Sequence, residues 1–89
     1  MKQVLDCNIF KKDLKICAKR GYDKSKLIRI LDMLAHGETL PDKNRLHHLI
    51  GRYIGCRECH IAPDWLLIFR ETDDAIYLVR TGSHADLFD

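Results

Sequence analysis

Four consecutive apolar side chains, Leu66-Leu67-Ile68-Phe69, lie between two other short runs that favour extended backbone. Successive side chains of a strand point to opposite faces, so a run without polar alternation must be covered on both. Such a segment belongs in the middle of a sheet. Its surroundings fit that place: residues 56–61, 65–70 and 75–81 are all β-prone. They are joined by Ala62-Pro63-Asp64 and Thr72-Asp73-Asp74, which are polar or proline-bearing. Connections of about 2 to 5 residues only let neighbouring strands reverse, so the last third predicts an antiparallel meander.

The first half supplies what covers that sheet. Residues 2–7 predict a short opening strand. A helix capped by Asn8 or its neighbour runs to about Arg20, with Ile9 or Phe10, Leu14 and Cys17 at helical spacing and Gly21 as its stop. Asp23 or Ser25 starts a second helix to about His36, with Leu27, Ile30, Leu31 and Leu34 as its buried stripe. The tight glycine turn between them makes an antiparallel helical hairpin. Residues 38–46, holding Pro41, carry turn chemistry, and 47–51 form a short extended piece. The order is one N-terminal strand, two helices, then a three- to four-stranded, mostly antiparallel sheet, which is the α+β class. Eighty-nine residues suffice for one modest core and not two, so 1–89 is expected to be a single domain.

Composition narrows the setting more than the partner. No apolar stretch approaches the roughly 20 residues that span a bilayer, and the beginning lacks a signal-peptide hydrophobic segment. A cytoplasmic protein with reduced thiols and no membrane partner is expected. A net charge of +2 selects no partner, but its distribution is uneven. Between residues 43 and 60, Lys43, Arg45, Arg52 and Arg57 oppose Glu58 alone, with three histidines among them. Lys11, Lys12, Lys15, Lys19 and Arg20 load the first helix, where a solvated face is the default reading.

Cys56-Arg-Glu-Cys59-His60 matches the pattern of covalent haem attachment. Haem attachment of that kind requires export. In a strand, positions 56 and 59 also point to opposite faces, which opposes both thioether bonds and a two-cysteine zinc clamp. No metal or cofactor is expected, and the two cysteines read as small strand residues with Cys59 toward the core.

The histidines carry more. His47, His60 and His84 each stand at an element boundary around one small sheet. Histidine both takes and gives a proton near neutral pH. Cleaving RNA through its own 2′-hydroxyl needs a base for that proton, an acid for the leaving 5′-oxygen, and donors for the charged phosphorane. Arg57 and Arg80 are candidates to hold phosphate, and Trp65 or Phe88 to hold an unstacked base by its face.

Together, His60-Ile-Ala-Pro-Asp64-Trp65-Leu-Leu-Ile-Phe69 and Arg80-Thr-Gly-Ser-His84-Ala-Asp-Leu-Phe88 closely resemble the YafQ branch of the RelE/ParE toxin superfamily. The likeness covers the whole chain by length and element order and is specific in the last forty residues or so. It implies a RelE-like fold and a toxin of a type II toxin–antitoxin pair: a ribosome-dependent endoribonuclease that cuts mRNA in the decoding site without metal. It further implies a cognate antitoxin, small, dimeric and DNA-binding, which masks the toxin and carries it to promoter DNA only as a complex. Matched to the family's motif, His60, Asp64 and His84 are catalytic. A further family histidine falls on His47, with His48 the alternative. Trp65, Arg80, Phe88 and Arg57 are the substrate-binding positions. Cys56 departs from the family where an aromatic residue is common. His60 and His84 form the proton-transfer pair in this reading, with His47 and Asp64 positioning substrate or tuning them through a neighbouring carboxylate. Two rivals remain: a ParE-like gyrase poison, which needs no acid–base pair, and a non-catalytic nucleic-acid- or protein-binding module.

Overall fold

The computed structural model describes residues 1–88; Asp89, the end of the expected 1–89 unit, lies outside them. Strand β4 (Trp65–Glu71) occupies the centre of a five-stranded sheet ordered β1-β5-β4-β3-β2. Its side chains from Leu66 to Phe69 are fully buried. Strands β3 (Arg57–Ala62) and β5 (Ala75–Gly82) flank it antiparallel, as the short connections require. At the edges, β2 (His47–His48) pairs antiparallel with β3, His47 opposite Glu58. On the other side β1 (Gln3–Leu5) pairs parallel with β5, Gln3 opposite Ala75. The sheet is therefore mixed, with one parallel pair.

The alternation of β4 divides the interior in two. Trp65, Leu67 and Phe69 face helices α1 (Asn8–Lys19) and α2 (Lys24–Ala35), joining Phe10, Cys17, Leu27 and Cys59 in the larger cluster. Leu66 and Ile68 face the opposite side, where Cys56 and Leu87 cover them. Cys56 and Cys59 thus belong to different clusters, as strand parity demands, and burial pushes the Cys59 thiol up to about 12. Helix α2 is capped by Asp23, whose carboxylate accepts the Ser25 N–H at 3.0 Å. Helix α1 begins at Asn8 itself after Cys7, without a side-chain cap. No helix of the described residues is long and apolar enough to cross a membrane.

The chain's end, legible in sequence only as a turn after a strand, is a short helix, α3 (His84–Phe88). Ser83 and Asp86 close it reciprocally: the Asp86 N–H donates to Ser83 Oγ at 3.2 Å, and the Ser83 N–H to Asp86 Oδ2 at 2.9 Å. Gly82 precedes this box because nothing larger fits. A Cβ there would stand 2.8 Å from Asp86 Oδ2. Arg20, at the end of α1, holds the same carboxylate through two hydrogen bonds, at 2.5 and 3.0 Å.

Candidate active site

Strand pairing brings three histidines together. His60 stands in β3 opposite Leu66, on the face away from the helices. Glu58, two residues earlier, shares that face, and its cross-strand partner is His47. The turn after β5 then delivers His84 from the far side of β4. A cleft of about 710 Å³ is lined by Arg45, His47, Glu58, His60, Pro63 and His84, among others. The His60 and His84 rings lie 5.7 Å apart by centroid, inclined at 64°.

Each ring is oriented by a neighbour. Asp64 Oδ1 lies 2.8 Å from His84 Nδ1 and also accepts the His84 N–H at 3.1 Å. These two bonds, the side-chain one first, hold the Asp64 carboxyl below its ordinary range. With His84 Nδ1 donating to that carboxylate, Nε2 is left for chemistry. His47 Nδ1 donates to the Arg45 carbonyl at 2.7 Å, and its Nε2 stands 3.3 Å from Glu58 Oε1. The same Oε1 is 3.8 Å from His60 Nε2. Arg45 takes a positive φ of 50°, the only non-glycine residue to do so among those described, which turns its carbonyl toward His47. His48, the alternative to His47, is exposed and outside this group.

Glu58 reads in the sequence as a lone acid among cations and draws no role there. It is 3% exposed, and its Oε2 has no hydrogen-bond partner among the described residues. Only its parity with His60, two positions on, could have marked it. Glu58, His60 and His84 each offer one ligand atom, all within 4.8 Å of one another. With a buried carboxylate whose Oε1 faces His60 and whose Oε2 has no partner among the described residues, the set fits a metal ion.

Other expected site residues lie elsewhere. Trp65 is 3% exposed, donates its Nε1–H to Thr81 Oγ1 at 2.8 Å and packs on Tyr22, so it has no free face for a base. Arg57 sits on the helix side of β3, over the Phe69 ring and 2.9 Å from Glu71, because odd and even positions of a strand part company. Arg80 binds Asp13 of α1 through two hydrogen bonds, at 2.6 and 3.0 Å, which raises its already high pKa and commits its fork to structure. Phe88, by contrast, is 44% exposed and tilted 6.3 Å from the His84 ring. It alone of the expected base holders is open to solvent at the cleft's edge.

Comparison with known proteins places these features in company. The model of a family described as the bacterial toxin of the type II toxin–antitoxin system YafQ matches residues 2–89. The mRNA interferase toxin YafQ of Escherichia coli K12 is 39% identical over 80 residues, covering 89% of this chain and 87% of that protein. Among solved structures, YafQ in the E. coli DinJ–YafQ toxin–antitoxin complex superposes with a TM-score of 0.90 at 35% identity over 99% of this chain and 98% of that one. A metal-bound toxin from Helicobacter pylori superposes at 0.91, with 38% identity over 99% of this chain and all of the other.

Proposed function

The chain belongs to the YafQ family of type II toxin–antitoxin toxins, and from that premise we propose that it is an mRNA interferase, cutting mRNA in the cytoplasm by acid–base catalysis through the RNA's own 2′-hydroxyl. The observation that carries the chemistry is the pair of imidazoles 5.7 Å apart, each beside its own carboxylate, Glu58 for His60 and Asp64 for His84. One ring takes the 2′-hydroxyl proton as that oxygen attacks phosphorus. The other gives a proton to the departing 5′-oxygen. The products carry a 2′,3′-cyclic phosphate and a 5′-hydroxyl. His47, on the far side of Glu58, positions the substrate, and Phe88 offers its exposed ring to a base beside His84.

A metal ion held by Glu58, His60 and His84 would supply positive charge beside the phosphate. Both proton transfers use those same two imidazoles, so they belong to the metal-free site.

The E. coli relative is held in a complex with DinJ, and this chain is likewise held by a cognate antitoxin, which covers the cleft. That antitoxin is dimeric and binds its own promoter. On this reading the ribosome presents the mRNA.

Cleavage of a reporter mRNA in a translating extract tests the reading. The native chain is expected to yield 5′-hydroxyl ends, and His60→Ala or His84→Ala to lower the rate about 100- to 10,000-fold. Native rates in the double variant, with circular dichroism unchanged, would overturn it. A 5′-thio leaving group, which needs no acid, separates the roles: it is expected to rescue one of the two variants and not the other.

A further inference from the structure

The cations first expected to hold phosphate are occupied: Arg57 by Glu71 and Arg80 by Asp13. Four others beside the cleft are not. Lys26 and Arg29 on α2, with Lys43 and Arg45 on the turn before β2, are exposed and form no ion pair among the described residues. They line one groove of about 660 Å³, whose floor includes Met33, Ile61 and Pro63. This groove is continuous with the histidine cleft, since Arg45, His60 and Pro63 line both. Its cationic wall is also held in register with the cleft. The buried Asn44, between Lys43 and Arg45, donates to the His60 carbonyl at 2.7 Å and ties that turn to the strand carrying the catalytic ring.

The geometry points to this groove as the path of the RNA strand being cut: Lys26, Arg29, Lys43 and Arg45 bind the phosphates flanking the scissile bond. This assignment rests on the ribonuclease reading and names the residues that would seat its substrate. A strand that presents a 2′-hydroxyl to His60 and His84 must continue past them. Where it leaves over Pro63 it meets unpaired cations above an apolar floor, the combination that suits a single strand: charge for the backbone, apolar surface for exposed base faces. A protein strand pairing along the open edge of β3 would first have to displace the Asn44 side chain, which already occupies the His60 carbonyl there. Positive charge flanking a cleft that holds the buried Glu58 also sets a direction. Phosphate is drawn to the wall and kept from the carboxylate, which leaves the histidines facing the scissile bond.

The test uses the full-length chain carrying His84→Ala, so that binding is read without cleavage, and a fluorescent single-stranded RNA of about 12 nucleotides. Each phosphate contact to a single strand contributes about −0.7 to the slope of log affinity against log salt. The combined Lys26→Gln, Arg29→Gln, Lys43→Gln and Arg45→Gln variant is therefore expected to flatten that slope by about 3. The charge-matched Lys11→Gln, Lys12→Gln, Lys15→Gln and Lys19→Gln variant of α1 should leave it unchanged. If Arg45→Gln disturbs folding at its positive φ, the triple variant without it should still flatten the slope by about 2. An unchanged slope in the groove variants overturns the assignment, as does equal flattening by the α1 variant. Failure of the native chain to cut mRNA would strike the ribonuclease reading instead, because the salt slope is measured on an inactive chain.

Discussion

Glu58 carries the largest conflict in the molecule at the scale of one residue. Its carboxylate is buried, faces two imidazoles through one oxygen and leaves the other without a partner among the described residues. Buried unpartnered polar atoms cost stability. Glu58→Gln keeps the shape and removes the charge, so it is expected to stabilise the fold by about 1 kcal/mol while lowering the cleavage rate about 10- to 100-fold. Chemical denaturation and single-turnover cleavage measure the two effects, and both are expected in the same variant. Metal removal is argued at the same scale. Because His60 and His84 belong to the convergent ligand set with Glu58 and, in the proposed mechanism, transfer the protons, a chelator is expected to leave cleavage undiminished and added copper or zinc to suppress it. Cleavage lost in chelator and restored by metal would refute the metal-free chemistry.

Among the elements, β4 carries the fold. Phe69 is fully buried between the helices and the Arg57 guanidinium. Phe69→Ala is expected to cost about 3–5 kcal/mol, a large part of the stability of a small domain, read from the urea midpoint. This strand was legible because four apolar residues in a row have only one place in a sheet. The helices were legible from their stripes, and β3 and β5 from the turns. What sequence concealed was distance. Arg80 looks free until a helix 67 residues earlier brings Asp13 to it, and Trp65 looks available until Tyr22 closes over it. Arg57 differs: period-two parity already placed it opposite His60, so its exclusion from the cleft was readable and only its charge, suited to phosphate, argued otherwise. The three histidines were legible as a set because each sits at or near an element end, but Arg45 and Glu58 acquire meaning only once β2 pairs with β3. Helix α3 was written in Ser83-x-x-Asp86, a short form of the capping box that a strand exit obscures. Gly82→Ala, which drives a methyl into that box, is expected to lower both the melting temperature and the rate, since His84 hangs from it.

Across the whole molecule, ion pairs fasten the N-terminal half to the C-terminal end: Lys2 to Glu71, Asp13 to Arg80, Arg20 to Asp86. The bonds from Arg20 and from the Ser83 backbone hold the Asp86 carboxyl far below the usual carboxylate range. The unfolded chain therefore binds a proton there at higher pH than the folded one. The pair's contribution is complete above the ordinary carboxylate value of about 4 and fades as pH falls below it. Acid titration of the melting temperature is expected to show a loss below about pH 4 that Asp86→Asn diminishes. The parallel pairing of β1 with β5 has a consequence of another kind, in time. Gln3 is synthesised 72 residues before its partner Ala75. During translation β1 has no strand to lie against, and β4, already beside β3, lacks its other flank until 75–82 emerges. Long-range pairings of this sort make folding wait on the chain. The cleft between His60 and His84 is thus incomplete until β5 and α3 have been made, an interval in which an antitoxin already present has the first opportunity to meet the chain.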